Sequence, residues 1–152
     1  MRAVGLAELD EPAGSFDAAL AVVSLHHVEP LADSCRQLAM LVRPGGTLVI
    51  DEIDFERYDE RAAAWWIEQR AAAGREHPHD AATMVAEHQH HLHTLKAVRA
   101  ALAPHFTLGE PVRGAYLHRW GLDPALRGAE EELIAAGRIP AVGARMVGVR
   151  AG

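Results

Sequence analysis

The chain has 152 residues, 49% apolar and 24% charged, which is enough for one domain with a real core and argues against disorder. Its formal net charge of −6 lacks the basic footprint that nucleic-acid binding requires. The single cysteine, Cys35, rules out an internal disulfide and fits a reducing cytoplasm, and no stretch reads as a signal peptide or as an apolar membrane span.

Residues 1–9 (MRAVGLAEL) have weak strand character and run into a polar loop at 10–15. The next stretch, 16–54, organises the rest. Ala18, Ala19, Leu20, Ala21, Val22 and Val23 form an unbroken apolar run, predicted as a strand buried on both faces. Glu29-Pro30 opens a helix, with Pro30 in its first turn. Leu31, Cys35, Leu38 and Val42 make its apolar stripe, which gives Cys35 a buried, inert thiol. Arg43-Pro44-Gly45-Gly46 predicts a tight turn, and 47–50 a second buried strand with Asp51, Glu52 and Asp54 at its far end. Strand, crossover helix and strand of this length predict a βαβ unit with parallel strands. Ligands of such sheets sit beyond the carboxyl ends of the strands, here Ser24-Leu25-His26-His27 and Glu52-Ile53-Asp54-Phe55.

Farther along, 57–74 predicts a helix capped by Asp59 and stopped by Gly74. Trp65 and Trp66 are adjacent, so one is expected in the core and the other on a pocket or a partner surface. Residues 75–80 break the chain around Pro78, 81–91 form a short helix, and Thr94 caps another through Pro104. Residues 106–112 and 114–120 are expected to be extended. Asp123-Pro124 starts a last helix with Glu130, Glu131 and Glu132 near its first turns, and Gly137 ends it. Residues 142–149 close the chain as a strand.

The combination FDAALAVVSLHHV, a helix, then LVRPGGTLVIDEID resembles the second half of a class I S-adenosylmethionine-dependent methyltransferase of the small-molecule "type 11" kind. AYLHRWG (115–121) and ELIAAGRIPAVGARMVG (132–148) extend the resemblance over nearly the whole chain. It implies an α/β, Rossmann-like doubly wound sheet, truncated at the N-terminus and ending in an antiparallel strand pair formed by 106–120 and 142–149. One partial domain is expected, with a core unit at 16–54, a helical lid region at 56–104 and C-terminal strands and helix at 105–152. The FD strand is the family's fourth. Its first strand and glycine-rich cofactor loop are expected upstream of Met1, because no Gly-x-Gly precedes a helix here. The family's Gly-Asp-Ala at the adenine contact is Gly5-Leu6-Ala7, so the acid is missing at that position.

The implied cofactor is S-adenosylmethionine and the implied partner a small-molecule methyl acceptor, with no nucleic acid and no membrane. Ser24, Leu25 and His26 are the implied cofactor contacts, and His26 or His27 the candidate base for a protonated acceptor. Substrate contacts are expected from Glu52, Asp54, His91, His93 and Tyr116; for Glu52 and Asp54 the alternative is capping of the next element, and for Tyr116 core filling. The cluster His77, His79, His88, His90, His91 and His93 has no HExxH and no cysteine partner, so no metal site is assigned. Ser24 lacks the G-x-S-x-G turn of a hydrolase nucleophile. The rival reading is non-catalytic: a remnant or an interaction module whose open, apolar strand at 18–23 is covered by another chain or by a second copy.

Overall fold

The structure, a computed structural model, describes residues 5–152. Its strands are β1 (Phe16–Val22), β2 (Val42–Ile53), β3 (Phe106–Leu108), β4 (Val112–Gly114) and β5 (Gly143–Arg150). Its α-helices are α1 (Leu31–Leu41), α2 (Glu60–Ala72), α3 (Ala81–His91), α4 (Leu95–Leu102) and α5 (Arg127–Ala135). The sheet order is β1-β2-β5-β3, and β4 also pairs with β5. β1 and β2 are parallel, as expected of strands joined by a helix, and β3 and β5 are antiparallel. The chain divides into two compact units. The first is everything up to Glu52 with 96–112 and 145–152; the second is 53–95 with 113–144.

In the first unit, Leu48 and Ile50 of β2 are fully buried, with Cys35, Leu41, Val98, Leu102, Phe106 and Met146. Burial pushes the Cys35 thiol up to about 11, so it stays protonated at neutral pH, as its place on the apolar stripe implied. That stripe is rotated from the expected one. Ser34, Cys35, Ala39 and Leu41 are the buried residues of α1, Leu31 and Leu38 are half-buried, and Val42 already belongs to β2.

Two expectations for this unit fail. β1 is not buried on both faces: only Ala21 is buried, and Leu20 is 68% exposed. The reason is its place at the end of the sheet order, with β2 as its neighbour in the ladder. Nor do residues 43–46 form a turn. α1 passes directly into β2, and the Arg-Pro-Gly-Gly run is absorbed as a bulge. Phe16 pairs with Val42 and Ala18 with Thr47, so one residue of β1 faces four of β2 between them. Gly45 takes φ +74 there, and the Arg43 guanidinium clasps Asp17 across the bulge at 2.6 Å.

The second unit is built on an aromatic cluster. Phe55 stacks on His88 at 5.3 Å, Tyr58 meets Trp120 edge-on at 5.8 Å, and Trp120 lies 5.0 Å from Trp66. Burial raises the Tyr58 phenol, whose hydroxyl donates to the Met84 sulfur at 3.2 Å. Asp59 caps α2 through the Arg61 and Ala62 amides, as read from the sequence. Trp65 and Trp66 are both buried, which corrects the division of labour expected of them. α2 buries two adjacent pairs, Ala62-Ala63 and Trp65-Trp66, a face wide enough to hold both indoles. Residues 114–120 are not a strand. After β4 they enter a 3-10 turn at Leu117–Arg119, held by a buried carboxylate. Of the weak strand at 1–9, residues 1–4 lie outside the described residues, and Leu6–Glu8 form a 3-10 turn instead.

A Cβ at Gly46 would lie 2.7 Å from the Asp17 carbonyl oxygen and from Val42 Cγ1, and 2.8 Å from the Arg43 oxygen. Two of those three atoms are backbone and cannot give way. Gly46→Ala is therefore expected to destabilise the fold by about 2 kcal/mol or more, read as a lower midpoint in urea unfolding. Gly45→Ala, with more room but positive φ, should cost only about 1 kcal/mol.

Candidate active site

The carboxyl end of β1 is shaped by one side chain from β2. Val23 leaves the strand with φ +46, a left-handed conformation that a β-branched residue rarely adopts. Such a backbone costs about 1–3 kcal/mol and persists only where its surroundings over-determine it. Here the Val23 amide donates to the Asp51 carbonyl at 2.8 Å. The next two amides, of Ser24 and Leu25, donate to Glu52 Oε1 at 2.9 and 2.8 Å. His26 Nδ1 lies 2.5 Å from Glu52 Oε2. Glu52 is 1% exposed and His26 4%. An ionised carboxylate only accepts, so in this pairing His26 Nδ1–H is the donor. His27 is exposed, its ring 4.1 Å from that of His26. The carboxylate thus satisfies amides that the short 3-10 turn Leu25–His27 cannot bond internally.

The structure brings Ser24, Leu25, His26 and Glu52 together within the first unit. Glu52 is buried and caps the turn that follows β1, a correction to the expected alternative in which it caps the next element. Asp51, beside it, points its Oδ2 at the Arg145 guanidinium, 2.7 Å away.

The second unit repeats the device. Glu130, fully buried, accepts from the Tyr116 and Leu117 amides at Oε1 (2.6 and 2.8 Å). Its Oε2 takes the His118 amide at 2.9 Å and His118 Nδ1 at 2.8 Å. The backbone at Tyr116 (φ −144, ψ −34) nearly superposes on that at Ser24 (φ −133, ψ −41). The sequence carries the signal as Ser-Leu-His at 24–26 and Tyr-Leu-His at 116–118, each answered by a distant glutamate. Glu130 was not a predicted site residue, because it reads as a first-turn helix charge.

The remaining predicted residues fall in this second unit. Asp54 is buried; its carboxylate accepts from the Glu56 amide and pairs with Arg113. Tyr116 is buried, with the Arg119 guanidinium over its ring. His91 is exposed at the end of α3, and His93 is half-buried. A cavity of about 290 Å³ opens beside them, lined by Phe55, Glu56, Gln89, Leu92 and Thr94. Among the described residues no group of three or more His, Cys, Asp or Glu side chains is placed to hold a metal ion, and no helix is long and apolar enough to cross a membrane. His88 instead bonds the Met84 carbonyl through Nδ1 at 2.7 Å.

Two substitutions test this turn. Glu52→Gln keeps the volume but puts an NH2 against either the two amides or the histidine, and should cost about 1–3 kcal/mol in denaturant unfolding. Val23→Asn, a residue that tolerates positive φ, should leave stability unchanged or raise it by up to about 1 kcal/mol.

Residues 2–50 match the sequence profile of the family described as "Methyltransferase domain". No curated protein sequence matches the chain. Among solved structures it is similar to an S-adenosylmethionine-dependent methyltransferase from Mesorhizobium loti, at 20% identity and a TM-score of 0.56, over 97% of this chain and 68% of that one. It is also similar to the cyclase SpnF, at 17% identity and a TM-score of 0.53, over 99% of this chain and 54% of that one. A third is a geranyl diphosphate methyltransferase solved with S-adenosylmethionine, at 15% identity and a TM-score of 0.51, over 99% and 56%. The chain therefore spans from about half to two thirds of the length of these structures. Residues 2–50 carry the pattern of the methyltransferase domain family, and the chain has the Rossmann-like fold of the class I S-adenosylmethionine-dependent methyltransferases.

Proposed function

We propose that the chain serves methyl transfer from S-adenosylmethionine to a small molecule, with the Ser24–His27 turn as its cofactor-facing element. The observation that carries this reading is the Glu52 cap. It fixes a polar turn at the carboxyl ends of two parallel strands, and most of it lies in the segment that matches the methyltransferase profile.

The turn is a fair test of fit. Its Ser24 and Leu25 amides are committed to Glu52, so they do not serve the carboxylate of an amino-acid cofactor. What the turn offers instead is the Ser24 hydroxyl and the negative charge of Glu52, which suits a sulfonium cation. When bound, the cofactor supplies a methyl group already activated for transfer, so the protein's work is positioning and exclusion of water. Glu52 holds His26 in the tautomer with Nδ1–H, which makes Nε2 the atom to take a proton from an acceptor oxygen or nitrogen. His27 is the second candidate for that role. The single buried cysteine agrees with a cytoplasmic protein.

A second reading has its own observation. β1 closes one end of the sheet order, and Phe16, Leu20 and Val22 are exposed along it. On that reading the chain is a non-catalytic module completed by another polypeptide or by a second copy.

Because no Gly-x-Gly turn precedes a helix in these 152 residues, the chain alone is expected to bind the cofactor only weakly, with Kd above about 100 μM. Amide chemical shifts measured during titration with S-adenosylmethionine decide the matter. Saturable shifts centred on residues 24–27 at millimolar cofactor support the methyltransferase reading. Their absence favours the non-catalytic one, and micromolar affinity by calorimetry would show that the glycine-rich loop is dispensable here.

A further inference from the structure

The first unit has a second opening, at the opposite ends of the parallel strands from the Ser24 turn. Phe16 and Val42 begin the β1–β2 ladder, and α1 ends there. A cavity of about 400 Å³ lies at this end, within the range of small-molecule sites. Its lining combines apolar residues, Ala39, Met40, Val42 and Pro44, with Arg36, His105 and Arg150. Among the described residues no carboxylate lines it, in a chain whose net charge is −6.

The cationic side has donors to spare. Arg150 spends Nε on the Ala39 carbonyl at 2.8 Å and Nη1 on the His105 and Ala151 carbonyls at 3.2 and 2.8 Å. Those bonds fix the guanidinium plane, yet Nη2 has no partner among the described residues. The His105 imidazole is half-buried and makes no hydrogen bond or ion pair among them either. Arg36 is held by Asp33 through one Nη2 contact at 2.8 Å, between two exposed side chains. Asp17, on the first strand, is paired with Arg43. Met40 completes the contrast: it is 42% exposed, an unbranched, adaptable side chain on the lip of a charged recess.

A fixed guanidinium edge beside an imidazole recognises a carboxylate or phosphate oxygen through charge-assisted hydrogen bonds. An adjoining apolar wall rewards a short hydrocarbon tail at about 0.8 kcal/mol per buried CH2. The geometry points to a binding site here for a small amphipathic anion, its acidic head on Arg150, His105 and Arg36 and its tail along Met40, Val42 and Pro44. The site stands apart from the methyl-transfer reading, since none of its residues belongs to the Ser24 turn.

Hexanoate is the probe, with inorganic phosphate as a head without a tail and hexylamine as a tail of opposite charge. Amide shifts are followed in the intact chain. The expected result is saturable movement of the Gly14, Ala39 and Met40 amides by hexanoate, with Kd in the range of about 1–10 mM and weaker binding of both controls. His105→Gln should weaken hexanoate about 3- to 10-fold, and Met40→Glu, which sets a carboxylate in the recess, should abolish the shifts. Both side chains are partly exposed, so neither change attacks the core, and a thermal melt of each variant verifies that it folds. Equal binding of hexylamine would overturn the proposal, as would phosphate binding as tightly as hexanoate. So would shifts confined to residues 24–27, or none at about 50 mM.

Discussion

A buried glutamate carboxylate, reached by two successive backbone amides and an imidazole, decides where β1 stops. Without Glu52 the Ser24 and Leu25 amides would be orphans at the start of a one-turn helix, and the left-handed Val23 would have little reason to persist. The low dielectric around the pair raises the stakes in both directions. Satisfied, it specifies a single path for the chain; broken, it leaves a desolvated charge. The same solution recurs at Glu130, with His118 in the place of His26, and builds a second polar corner shortly after β4. In each case the carboxylate comes from a residue distant in sequence, so the corner forms only once the surrounding fold has formed.

Local signals were read well wherever one interaction dominates a segment. The α3 boundaries, the Asp59 cap and the parallel β1–β2 pair follow from periodicity, capping chemistry and strand composition, while the antiparallel β3–β5 pair was implied by the family resemblance. The methyltransferase resemblance rested on the order of several short motifs, and the structure supplies the fold that order implies. What escaped the sequence is non-local. An apolar run such as 18–23 says that a strand wants neighbours, not how many the sheet provides. Glu130 sits in a run of three glutamates, and nothing in that run distinguishes the one that turns inward to hold an amide corner 12–14 residues earlier in the chain. Trp65 and Trp66 were assigned to different surfaces on helical geometry alone, which leaves out the width of the face that α2 buries.

The candidate site shows the same division. Ser24, Leu25 and His26 stand out in the sequence because ligands gather at strand ends and the family-like motif falls there. The role of Glu52 was open from sequence, since a strand-end carboxylate serves equally as ligand contact or as cap. The structure gives each of its oxygens a partner, the Ser24 and Leu25 amides on one and His26 Nδ1 on the other. The strain at Val23 has no sequence signal at all, as valine is among the last residues one would place at positive φ.

The bulge in β2 carries a consequence for how this chain tolerates insertions and deletions. Residues 43–46 lie outside the paired ladder, so losing or gaining one of them changes the size of a loop-out and leaves the pairing of Thr47 through Asp51 intact. The same change made at Val49 would turn Ile50 toward solvent and carry Glu52 away from the amides it holds, because a one-residue slip exchanges the faces of a strand. Drift in length is thus better absorbed around Pro44 and Gly45 than a few residues later, while Gly46, closed in by the Asp17 and Arg43 carbonyls, holds the end of the bulge in place.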